Sequence, residues 1–88
     1  MHEEALLRDL RSQLVMLAAR EHAFRVSRAE IWVGALSHVQ EAQLRSAWPR
    51  LVAGTPAEGA VLDVRTSAAA DDPQAQAVIL RSISVEGP

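Results

Sequence analysis

The chain opens Met1-His2-Glu3, the one run in it whose residue types and order can do metal chemistry. A histidine in second place offers three nitrogens in sequence: the α-amine, its own backbone amide nitrogen and the imidazole Nδ1. Together they close fused five- and six-membered chelate rings. The Glu3 amide or carboxylate can add a further donor. A nitrogen-rich, near-planar set of this kind suits Ni(II) or Cu(II) better than zinc or magnesium. The His2 side chain is too large for ordinary removal of the initiator methionine, so Met1 is expected to remain as the amine-bearing residue. All nine cationic side chains are arginine and none is lysine, which leaves the Met1 α-amine as the only primary amine in the sequence.

Other chemistry has little to stand on. The remaining histidines are His22 and His38, and neither tyrosine nor cysteine occurs. The absence of cysteine removes disulfides, thiolate zinc sites and cysteine nucleophiles together. The glycines stand singly, so no phosphate-cradling loop exists. Asp71-Asp72 falls in a stretch of small and polar residues and reads as a solvated turn rather than a catalytic pair. The serines lack a histidine in any motif context, and no enzyme activity is expected. A net charge of −2 with scattered arginines argues against nucleic acid. No apolar stretch is long enough to span a membrane. The acidic start lacks the positive n-region of a signal peptide, so the expected location is the cytoplasm.

Whatever holds such a site must be small. Eighty-eight residues suffice for one domain, taken here as residues 1–88, with a modest core. Glu4 to Glu21 reads as an amphipathic helix striped by Leu7, Leu10, Leu14 and Leu17 and widened by Leu6 and Ala18. Phe24 to Val33 switches to a period of two, with Ala29, Ile31 and Val33 facing one way and Arg28, Glu30 and Trp32 the other. Ser37 to Ala53 is helical again, with Ser37 and Gln40 as its capping box. Pro49 predicts a kink near Arg45 to Trp48 or two helical pieces. Gly54 ends that helix. Strands follow at Ala60 to Thr66 and Val78 to Val85. Ser67 to Ala77 between them reads as a flexible loop with nothing to bury, which favours antiparallel pairing of the two strands it joins. The fold class is α+β: two helices on one face of a three-stranded mixed sheet, in the order α-β-α-β-β.

Met1-His2-Glu3, the leucine-striped helix, Ile31-Trp32-Val33-Gly34-Ala35-Leu36-Ser37 and Gly54-Thr55-Pro56-Ala57-Glu58-Gly59-Ala60 follow one another at a spacing that resembles the HypA/HybF hydrogenase nickel-insertion accessory family. The segment Leu80 to Glu86 is similar to that family's final strand. The resemblance implies a nickel-binding metallochaperone with Met1, His2 and Glu3 as its nickel ligands. It also implies delivery toward the large subunit of a nickel-iron hydrogenase, or in some bacteria toward urease, with a maturation GTPase as partner. Where the family places an acidic side chain after its Gly-x-x-Ser turn, this chain has Gln40, a poor Ni(II) ligand. His38 and Glu41 stand beside it as substitutes. The family's two Cys-x-x-Cys pairs between the last strands are missing, so no zinc is expected and loop 67–77 stands in place of the zinc module. The alternative reading is a metal-free paralogue acting as an adaptor in hydrogenase assembly, with Trp32, Arg28 and Glu30 as its working surface.

Overall fold

The computed structural model describes residues 3–86. Met1, His2 and the side chain of Glu3 lie outside that description. The first helix, α1, runs Glu3–Arg20. Its buried stripe is Leu6, Leu10, Leu14 and Ala18, one residue every turn, with Leu7 and Leu17 half-buried at its margins. The stripe is thus rotated from the predicted one toward Leu6 and Ala18. The helix closes with paired bonds, Ala23 N–H to Ala18 O at 2.9 Å and His22 N–H to Ala19 O at 3.1 Å. His22 itself turns left-handed at φ 51°. This is the Schellman closure, with histidine where glycine is commonest.

Strand β1 (Arg25–Val33) is central in a sheet ordered β2-β1-β3, with β2 at Val61–Thr66 and β3 at Val78–Glu86. β1 pairs parallel with β2, Ala29 facing Leu62 and Ile31 facing Val64. It pairs antiparallel with β3, with register shifts between Val26 and Arg28 and between Glu30 and Ile31. The mixed three-stranded sheet agrees with the sequence reading, but the expected pairing of β2 with β3 does not form. The two strands flank β1 instead, because β1 buries Val26, Ala29, Ile31 and Val33 and takes the position where both edges are satisfied. Loop 67–77 must therefore cross the end of β1, which has consequences at the site.

The second helix, α2, spans Glu41–Val52 and begins four residues later than predicted. Ser37 does not cap it. Its hydroxyl accepts the Val39 N–H at 3.3 Å, a local turn that competes with helix initiation. Gln40 is the N-cap, and its N–H donates to Gln43 Oε1 at 2.9 Å, the returning half of a capping box moved along the chain. Pro49 does not divide the helix, which runs unbroken from Glu41 to Val52. Pro49 and Arg45 are both exposed, so the Arg45 carbonyl left without its donor faces water.

Both helices lie on one face of the sheet, α1 against β3 and α2 against β2. Three side chains tie these layers. Arg11 Nη1 donates to Leu51 O at 2.9 Å, supplying a cation to the carbonyl end of α2. The Trp48 indole N–H donates to Ala60 O at 2.9 Å. Gln13 Oε1 accepts the Leu80 N–H at 3.3 Å, beside the shifted register of β3. Among the described residues no buried side-chain nitrogen or oxygen lacks a partner.

Candidate metal-binding site

The predicted nickel tripeptide leads into α1, so the ground next to the start of that helix matters most. A cleft of about 350 Å³ lies there. Leu6 and Leu7 from the first turns of α1 form one wall, and the β1–α2 turn, Leu36 to Val39, forms another. Gln43 and Leu44 of α2 and Gln76 of loop 67–77 complete it. Its walls are mostly aliphatic, with His38, Ser37 and the two glutamines as the polar groups. Such a surface excludes water around a neighbouring ion more than it supplies ligands.

Of the residues singled out by sequence, the structure brings His38 to this cleft. His38 is exposed and its backbone is left-handed, φ 62°. Beside it Ser37 is buried, 6% exposed, with its hydroxyl spent on the turn. Glu41 is not among the cleft residues. It is ion-paired along α2 to Arg45 at 2.7 Å. Gln40, at the position the family makes acidic, is occupied as the helix cap and also lies off the cleft lining. Met1, His2 and the Glu3 side chain fall outside the described residues. Among the described residues, no group of three or more His, Cys, Asp or Glu side chains could hold a metal ion.

Gln76 was missed by sequence reasoning. Nothing in the local pattern marks Gln76, because its loop reads as unanchored. Loop 67–77 is in fact well anchored. Its turns are held by Asp72 N–H to Ala69 O, Ala75 N–H to Asp72 O and Gln74 N–H to Asp72 Oδ1, at 3.2, 2.9 and 2.7 Å. Ala75 is only 3% exposed. The expectation that this segment buries nothing is corrected.

The opposite face of the sheet is tied up with itself. Arg28 pairs with Asp63 at 2.6 Å and Arg65 with Glu30 at 3.5 Å. Trp32 lies under the Arg81 guanidinium, 4.9 Å from its ring centre, and is 9% exposed. The indole is not presented as an anchor for a partner, because a cation over its face and its strand neighbours cover it.

A small α+β chain with such a cleft beside the first turns of α1 matches one known class along most of its length. A sequence model described as hydrogenase/urease nickel incorporation, metallochaperone, HypA, matches residues 1–71. The chain belongs to the HypA family. The hydrogenase maturation factor HypA of Chlorobium limicola is 36% identical over 69 residues, which cover 78% of this chain and 60% of that protein. The one from Paracoccus denitrificans is 40% identical over 65 residues, 73% of this chain and 57% of its own. The chain thus spans less than two thirds of the length of these relatives. The solution structure of the Ni metallochaperone HypA from Helicobacter pylori superposes over the whole of both chains with a TM-score of 0.82 at 16% identity, a likeness of fold.

Proposed function

We propose that this chain is a nickel metallochaperone that carries Ni(II) as cargo for the maturation of a nickel-iron hydrogenase or a related nickel enzyme. Met1, His2 and Glu3 hold the ion. One observation carries the reading: the family match begins at residue 1 and runs through the β1–α2 turn, so it includes both the tripeptide sequence and the turn that lines the cleft. His38 is the best placed additional donor, since Glu41 is engaged with Arg45 and Gln40 caps α2. The hydrogenase large subunit and a maturation GTPase are the expected partners, in the cytoplasm. Loop 67–77, without cysteine, takes the place of a zinc module and no zinc is bound there.

The chemistry of the terminus sets the test. Chelation needs a deprotonated α-amine and imidazole, groups that in model peptides titrate near ~7.7–8.0 and ~6.5. Protons compete with the metal as pH falls, so binding weakens below about pH 6–7. A carboxylate site would persist to lower pH. Because the sequence has no lysine, amine-selective acetylation modifies Met1 alone. Acetylated protein is expected to lose Ni(II) binding while its circular dichroism spectrum stays unchanged. Undiminished nickel uptake after complete acetylation would place the ion elsewhere.

A further inference from the structure

Loop 67–77 is tied to the end of β1 and to the β1–α2 turn by main-chain hydrogen bonds. Ser67 N–H donates to Val33 O at 2.9 Å where the loop leaves β2. Gly34 N–H donates to Ala77 O at 2.8 Å where it enters β3, and between them Leu36 N–H donates to Ala75 O at 2.7 Å. The approach is closest at Gly34. A Cβ added there would stand 2.3 Å from the Ala75 carbonyl oxygen and 2.6 Å from its carbon. Those are main-chain atoms, so no rotamer change relieves the clash, and glycine is required here for space rather than for φ. Immediately beyond the contact come the Ser37 turn and left-handed His38. A non-glycine residue keeps that backbone at a cost, and only when its surroundings impose it. The same loop sends Gln76 into the cleft that His38 lines.

We propose that Gly34 and loop 67–77 form a latch that positions His38 at the cleft. With the latch closed, the turn is pinned from one side by the Leu36–Ala75 bond and from the other by the Ser37 hydroxyl. The left-handed bend then presents the imidazole at the start of α1. Gly34 and Ala75 are positioning residues and touch no metal. The consequence for nickel rests on the reading above; the consequence for the geometry of His38 does not.

The test compares wild-type protein with Gly34→Ala, which puts a methyl group into the contact, and Ala75→Leu, which wedges it from the loop side. Leu17→Ala, at the far end of α1, serves as a control for general destabilisation. Three quantities are read on untagged, folded protein: hydrogen exchange at the Leu36 amide, the backbone carbon chemical shifts of His38, and Ni(II) affinity. Opening the latch is expected to speed Leu36 exchange at least tenfold, move the His38 shifts out of the left-handed pattern, and weaken nickel by about 10–100-fold, the usual effect of disturbing an outer support of a metal site. Leu17→Ala is expected to change none of the three. Should Gly34→Ala fail to fold, Ala75→Leu decides. A Leu36 amide that stays protected in folded latch variants, or His38 shifts that stay put when it opens, overturns the proposal. Wild-type protein that ignores nickel sinks the metallochaperone reading and leaves the latch to be judged on His38 alone.

Discussion

His38 and His22 are the two non-glycine residues with positive φ among those described, at 62° and 51°. They differ in what that conformation does. His22 closes α1, so its backbone is explained by the helix end. His38 closes no helix; it stands at a cleft, where strained residues are found when function needs them. Relief of the left-handed cost of roughly 1–2 kcal/mol is set against the ~0.5–1 kcal/mol of extra chain entropy that glycine loses on folding. Both His38→Gly and His22→Gly are therefore expected to stabilise slightly, by about 0.5 kcal/mol in urea unfolding. The two variants separate on function. His38→Gly is expected to weaken Ni(II) binding and His22→Gly to leave it unchanged; equal nickel affinity in both would remove His38 from the donor set. At this scale the sequence was informative about chemistry and silent about conformation. The position of His2, the absence of lysine and the gap at Gln40 can be read from letters alone. That His38 faces the cleft while Glu41 is held by Arg45 depends on where α2 starts, which turns on a single hydroxyl.

At the scale of elements, periodicity located both helices and all three strands, because each buries one regular face. What it could not locate were features set by competition. Ser37 is a good cap by type, yet its hydroxyl closes its own turn and α2 waits for Gln40. Likewise Pro49 reads as a break, but the carbonyl it orphans is on the wet side of the helix. Pro49→Ala restores a donor to Arg45 O at an exposed site. The ~3 kcal/mol penalty of an interior proline is only partly recovered, because the unfolded chain regains about 0.4–1 kcal/mol of freedom and water already serves the carbonyl. A gain of about 1–2 kcal/mol in urea unfolding is expected, with no change in metal binding. A loss of stability would show that a bend at Pro49 is needed to seat Leu51 and Val52 in the core. Loop 67–77 failed to announce itself for a related reason. Small residues without apolar periodicity look unanchored, whereas here main-chain carbonyls do the anchoring, and the only trace in the sequence is that position 34 is glycine.

Across the whole molecule, a long body of 42 × 21 × 18 Å is held by one layer of helix on one layer of sheet. With no disulfide, stability comes from the apolar cluster between the two helices and the sheet and from the few side chains that bridge them. That economy explains why the mixed sheet was legible and the partner of its last strand was not. The α2 crossover fixes β2 parallel beside β1, but whether β3 then joins β2 or β1 depends on which edge gains more buried surface, a property of the assembled sheet. It also explains why the cleft lies where it does. The crossing of loop 67–77 over the end of β1 brings the β1–α2 turn, the loop and the first turns of α1 to one end of the body, and the family match covers both this turn and the Met1-His2-Glu3 run in the sequence.

Titration calorimetry of Ni(II) into untagged protein, run beside His2→Ala under the same buffer and pH, bears most directly on the central claim. A single saturable nickel site in the wild-type chain that disappears on replacing His2 is the expected result. Superimposable isotherms for the two proteins, or no heat from either, would contradict it.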